Sequence, residues 1–248
     1  MASPLHQAIT EYTLERGLEL DETYSLTPTR TGSNTNGTFS LNGIAPVYES
    51  TVGPSNGRGS WKFTSPKTGT GASGPSFFRV TTGASTTDLA GFSDNDWTVG
   101  FWFRLNNKIT SQYNIENEIE IFVAGAFRIG YSSSLWTGGA NRFVYSTDGS
   151  SWTKMQSAND TAVEANRWYY LAVRRVGSTW TFYIDGTAVR TLTNATTITP
   201  GTFGFGSGNT LGANASADMT WNVSNLHYGT ATNLDATAIS KIWEVGRD

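Results

Sequence analysis

Large apolar residues alternate with polar ones over short stretches of this chain, the period-two pattern of half-buried strands. Past residue 96 the pattern is dense. Trp97–Leu105, Ile119–Val123, Ala126–Tyr131, Arg142–Ser146, Trp152–Met155, Trp168–Val176, Thr179–Asp185 and Met219–Tyr228 each read as a strand. The breaks between them carry turn chemistry. Asp148-Gly149, Gly177-Ser178 and Asp185-Gly186 supply the positive φ values that tight hairpins need, so antiparallel pairing is expected. Earlier strand candidates are Thr38–Leu41, Val47–Glu49 and Ser60–Thr64, followed by a Gly/Ser/Thr/Pro loop from Ser65 to Ser76. Helical spacing predicts a short helix over about 4–16, with Ser3-Pro4 as cap and first position and Leu5, Ala8, Ile9 and Tyr12 on one face. Tyr12-Thr13-Leu14 alternatively opens the first strand. A second helix is expected after Asp235, with Ile239, Ile242 and Trp243 sharing a face.

Composition agrees with a sheet protein. Of 248 residues only 15% are charged, against roughly 25% for an ordinary soluble domain. Aromatics make up 13%, nine of them Trp, and there are 27 Gly. That much aromatic surface demands a core and argues against disorder. With no Cys, disulfides, thiolate metal sites and Cys nucleophiles are excluded. Two His, His6 and His227, exclude a His-rich metal site. A net charge of −3 without a Lys/Arg cluster makes duplex nucleic acid an unsuitable partner. No apolar run approaches the roughly 18 residues of a spanning helix, so no membrane partner is expected. No βαβ unit or Gly-x-Gly-x-x-Gly loop is present, which excludes a nucleotide-binding α/β fold. Met1 to Gln7 has neither a basic nor an apolar leader region, so the chain is expected to stay where it is made or to leave without a signal. The five Asn-x-Ser/Thr triplets then carry little weight.

Three segments resemble a known family. Trp97-Thr98-Val99-Gly100-Phe101-Trp102-Phe103-Arg104 is similar to a strand of LamG-like, concanavalin A-like jelly-roll domains. Trp168 to Arg175 with Trp180 to Gly186 resembles that family's central hairpin. Val223 to Tyr228, followed by Leu234 to Trp243, resembles its last strand and short helix. The three lie in the family's order across 97–243, and 39–81 fits its opening strands loosely. The resemblance implies an all-β fold: a two-sheet antiparallel jelly-roll sandwich over 21–248, with an N-terminal extension over 1–20 and a short C-terminal helix. It also implies a non-catalytic surface module of the kind found on tailed-bacteriophage virions, as capsid decoration or tail/fibre component. Its partners would be other virion proteins, met through the N-terminal arm, and host-surface polysaccharide; the arm would equally serve homo-oligomerisation, and its plainer reading is a helix covering a sheet end.

Candidate chemistry is sparse. Glu116, Glu118 and Glu120 alternate along one strand, about 7 Å apart on one face. Concanavalin A-like glucanases carry a similar Glu-x-Asp-x-Glu strand, and retaining hydrolysis needs two carboxyls roughly 5–5.5 Å apart. Here Glu118 replaces the central Asp, so a glucanase-like hydrolase is the rival to a binding module. The plainer reading puts Ile115, Ile119, Ile121 and Val123 in the core and the glutamates in water. His227 reads as a strand histidine at the sheet surface. Asp94, Asn95 and Asp96 offer oxygen ligands for calcium if backbone carbonyls complete the shell; otherwise they cap a turn, and no other cofactor is expected. Tyr145 to Trp152 resembles an Asp-box hairpin. Tyr131, Trp136, Tyr145 and Trp152 lie in or beside the loop-rich segment 131–152 and are the candidates for stacking on sugar rings. A secreted lectin or adhesion module, extracellular rather than on a virion, is the third reading.

Overall fold

The computed structural model describes residues 5, 17–18, 30–31, 37–42, 44, 46–55, 59–66, 77–82, 96–107, 118–132, 141–156, 162–196, 198, 202–206 and 218–247. Two short strands, β1 (Gly17–Leu18) and β2 (Arg30–Thr31), pair with each other ahead of the main body. Sheet I comprises β3 (Gly37–Asn42), β6 (Phe77–Thr82), β8 (Glu118–Ala124), β9 (Phe127–Ser132), β10 (Arg142–Ser146), β11 (Thr153–Lys154) and β15 (Thr202–Gly206). Sheet II comprises β4 (Val47–Glu49), β5 (Ser60–Ser65), β7 (Trp97–Leu105), β12 (Trp168–Val176), β13 (Thr179–Ile184), β14 (Thr187–Thr193) and β16 (Met219–Thr230). Their orders are β11-β10-β9-β8-β15-β6-β3 and β14-β13-β12-β7-β16-β5-β4, and every named pairing is antiparallel. This is the expected jelly-roll sandwich.

The hairpins form where Gly and Asp supply the turn. Gly177 has φ 57°, and Asp185 and Gly186 have φ 50° and 72°, the paired positive values of a two-residue hairpin loop. Between the sheets the inward residues interlock as tilted and edge-on aromatics. Phe101 meets Phe205 at 5.2 Å, and Trp97 meets Trp180 at 5.2 Å. Most of the described Trp residues are accordingly core. Two β-bulges break the alternation read from sequence. In β8 the register shifts between Glu120 and Phe122, so Phe122 and Ala124 join Ile119 and Ile121 in the core. Val123, expected inward, stands outside that cluster. In β16 the shift falls between Ser224 and His227, with Asn225 at φ 52°.

The outer face of sheet II is covered. The helix α1 (Ala236–Gly246) starts at Asp235, whose side chain accepts from the Ala238 amide at 2.9 Å. Its Ala238, Ile239 and Ile242 pack with Leu5 against Trp102, Tyr170, Ala172 and Tyr183. Leu5 is itself helical; the remainder of the expected 4–16 helix lies outside the described residues. β1 lies beside β16. The other half of this face is a buried polar belt. Asn222 donates to Glu49 Oε2 and Ser60 Oγ, each at 2.8 Å, and Ser224 Oγ donates to Gly59 O at 2.6 Å. Asn222, the start of one of the Asn-x-Ser/Thr triplets, is fully buried and so closed to glycosylation. His227 is buried too, contrary to the expectation of a surface histidine. Its Nδ1–H donates to Asn225 O at 2.8 Å, which leaves Nε2 to accept from the Tyr170 hydroxyl at 2.8 Å.

Candidate functional site

Those residues singled out from sequence that the structure describes do not converge. Glu116 lies outside the described residues, as does the side chain of Glu118. Glu120 is buried on the outer side of sheet I and ion-paired with Arg128 of the neighbouring strand. The Glu120 carboxylate is thus engaged as a structural partner of Arg128. Tyr131 and Tyr145, expected as sugar platforms, are core residues instead. The Tyr131 hydroxyl donates to Asn141 Oδ1, and the Tyr145 ring lies 4.3 Å from that of Phe182. They pack inward because β9 and β10 present alternate residues to the sandwich interior. Burial raises the Tyr131 hydroxyl pKa well above its usual value. Trp152 is half-buried, its ring seated over Gly130, where a Cβ would come within 2.9 Å of it. Trp136 falls outside the described residues.

Two acidic turns are structural as well. Asp148 Oδ1 accepts from the Ser150 and Ser151 amides at 2.8 and 2.7 Å and from Ser146 Oγ at 2.9 Å. Those bonds, the Ser151 amide foremost, hold its carboxyl well below the usual carboxylate range. This is the Asp-box-like hairpin acting as a turn. Asp96 Oδ1 accepts from the Gly177 amide at 2.7 Å and so ties the start of β7 to the β12–β13 turn. Asp94 and Asn95 lie outside the described residues. Among the described residues no group of three or more His, Asp or Glu gathers to hold a metal.

A concave site does form at the side of the sandwich, between the β10–β11 edge of sheet I and the β13–β14 edge of sheet II. It encloses about 240 Å³. Its floor is Phe143 and Tyr169, packed edge to face at 5.3 Å, and its apolar wall includes Ala162, Val163, Ile184 and Val189. The polar groups are Gln156, Arg167 and Asp185. Asp185 sits in the β13–β14 turn, where positive φ folds its side chain back. Its Oδ1 accepts from the Tyr170 amide at 2.9 Å and its Oδ2 from Arg167 at 2.8 Å. Trp243 of α1 packs on Gly186, 3.0 Å from where a Cβ would stand, and so braces that turn.

Burial raises the Asp185 pKa, and the Tyr170 and Arg167 contacts oppose the rise. The Arg167 guanidinium lies 4.6 Å from the centre of the Tyr169 ring. The Tyr169 hydroxyl accepts from the Glu164 amide at 2.8 Å, leaving its own proton free to donate. Gln156 Oε1 is buried and has no hydrogen-bond partner. The site therefore offers donors, acceptors and an aromatic floor in one small cleft. Sequence reasoning used Asp185 only as a turn residue and passed over Gln156 and Arg167. The Asp-Gly turn was the one signal pointing here, because it places a carboxylate at the open end of a hairpin.

Residues 78–224 match the family described as the concanavalin A-like lectin/glucanases superfamily. The chain belongs to that superfamily. Among curated proteins none matches it. Among solved structures this concanavalin A-like domain is similar to the botulinum neurotoxin serotype C1 binding domain, with a TM-score of 0.65 and 16% identity over 95% of this chain and 52% of that one. It is also similar to the binding domain of botulinum neurotoxin DC in complex with rat synaptotagmin II, at a TM-score of 0.64 and 15% identity over 95% and 52% of the two chains. A third structure concerns botulinum neurotoxin type C, whose cell entry depends on interaction with two ganglioside molecules. It matches with a TM-score of 0.61 and 16% identity over 92% of this chain and 50% of that one. The domain thus spans about half the length of these chains. At such identities the likeness is one of fold.

Proposed function

We propose that this domain is a non-catalytic surface module that binds glycan through the cleft between β10 and the β13–β14 turn. The observation that carries the reading is the joining of an Arg167–Asp185 pair to an aromatic floor in a cleft of about 240 Å³. Pockets for drug-sized ligands run to roughly 300–1,000 Å³, so this one suits a single sugar residue. Sugar hydroxyls both donate and accept, which matches Arg167 beside Asp185. The structural neighbours support a binding role, since the solved structures above are of binding domains, one bound to a protein and one concerned with gangliosides. Hydrolysis is the weaker reading, because Glu120 is engaged by Arg128.

The setting we propose is a tailed-phage virion surface, as capsid decoration or tail/fibre component touching host polysaccharide. It rests on the resemblance to LamG-like virion domains. Glycan-array binding that falls on Arg167→Ala and on Asp185→Asn supports the cleft. Asn at 185 keeps both the tolerance of positive φ and an acceptor for the Tyr170 amide. Silence across the array, or binding indifferent to both substitutions, overturns it. Mass spectrometry of purified virions lacking this chain removes the virion setting alone.

A further inference from the structure

We infer that Lys62 and Asn222 join in an isopeptide bond between β5 and β16, with Glu49 carrying the protons. This modification stands apart from the cleft and from the glycan reading. The juxtaposition that says so is a lysine amine and a buried carboxamide on the two oxygens of one carboxylate. Lys62 Nζ lies 3.6 Å from Glu49 Oε1, and Asn222 Nδ2 donates to Glu49 Oε2 at 2.8 Å. Lys62 and Asn222 are direct cross-strand partners, a relation that puts Cβ atoms about 5 Å apart on one face of a sheet. The rest of the carboxamide is oriented for acyl transfer. Its second N–H goes to Ser60 Oγ at 2.8 Å, and its oxygen accepts from Asn106 Nδ2. A donor on that oxygen draws charge from Cγ and stabilises the oxyanion that attack creates. Asn222 is fully buried and Ser60 nearly so, which keeps water from competing as the nucleophile.

An ammonium is no nucleophile, so Glu49 first takes a proton from Lys62. The free amine then attacks Asn222 Cγ. Glu49 passes its proton to Nδ2 and receives the one that Nζ sheds. The Cγ–Nδ2 bond breaks, the Nζ–Cγ bond remains, and the freed ammonia takes the last proton from Glu49 and leaves as ammonium. The chain loses one ammonia and one positive charge, and no oxidant or cofactor takes part. The bond ties β5, next to the β4 edge, to β16, distant in sequence. That is the constraint a disulfide supplies elsewhere, and this chain has no Cys.

Intact-mass measurement of the folded full chain, followed by tryptic peptide mapping, tests this. The expected result is a mass one ammonia below that of the sequence. In the map, the peptides holding Lys62 and Asn222 are joined, and trypsin does not cut after Lys62. Lys62→Arg keeps a cation beside Glu49 but supplies no amine to attack. Glu49→Gln keeps an acceptor for Asn222 but carries no proton. Both variants are expected at their full sequence masses, with the two peptides separate. A parent chain that stays at full mass through prolonged incubation overturns the inference, and this arm needs no variant to fold. An ammonia lost elsewhere, as in ring closure at an Asn-Gly pair, with the Lys62 and Asn222 peptides separate, overturns it as well. A joined pair that forms undiminished in Glu49→Gln overturns the part assigned to Glu49.

Discussion

At the scale of single residues one tight constraint lies at Gly100. Its missing side chain makes room for the Tyr170–His227 hydrogen bond, and a Cβ there would stand 2.6 Å from both His227 Nε2 and the Tyr170 hydroxyl. Gly100→Ala is expected to destabilise the fold by roughly 1–3 kcal/mol, read as a lowered urea midpoint with unchanged slope. His227 is the matching titration probe. Burial lowers its pKa to about 4, with the Asn225 carbonyl opposing, against about 6.5 in an unfolded chain. The folded state keeps the ring neutral while the unfolded state takes up a proton first. Stability from this group is therefore full above pH about 6.5, falls as pH drops towards 4, and amounts to about 3 kcal/mol. His227→Gln should flatten that window in urea titrations at successive pH values; an unchanged profile counts against a buried neutral histidine. Strand parity alone gave no sign of this burial. It arises because the bulge at Ser224–His227 shifts the register and because other parts of the chain cover the outer face of sheet II.

At the scale of elements, legibility followed the strength of local chemistry. The β7, β12 and β13 strands were plain because large residues recur over six to nine positions and Asp96, Gly177 and Asp185 bound them. The α1 helix was plain from its cap. Asp235→Ala is expected to cost about 1 kcal/mol, seen as a lower Tm, whereas Asp235→Asn keeps the cap and nearly all of the stability. By contrast β14 was invisible from sequence. It is a Thr-rich edge strand with only Val189 and Leu192 packed against the core, so it lacks a strong alternation. Its register shift opposite Phe182 and Tyr183, and an Arg190 that reaches Lys154 O at 3.0 Å across the sandwich, are features that blunt an open edge. The cleft was hidden for the same reason. Its residues come from four separated segments, and Val189, one of its wall residues, is the position that the register shift of β14 leaves unpaired.

For the molecule as a whole, both outer faces carry buried polar groups. Sheet II gives its outer face to α1 and a polar belt. Sheet I carries the glutamate strand, whose described member is an ion-pair partner. Glu120→Gln should therefore lower stability by roughly 1–3 kcal/mol, through a weakened charged hydrogen bond, in a urea melt. A reducing-sugar assay on β-glucans should show no activity for either form; activity in the parent chain that the substitution abolishes would restore the hydrolase reading. Among the described residues, the cleft at the side of the sandwich is where Arg167, Asp185 and Tyr169 meet. The most direct measurement is an amide chemical-shift map of the whole chain titrated with host-surface polysaccharide fragments. The account predicts saturable shifts centred on Gln156, Val163, Arg167, Asp185 and Val189. Shifts centred instead on the Glu120–Arg128 face of sheet I, with the cleft silent, would contradict it.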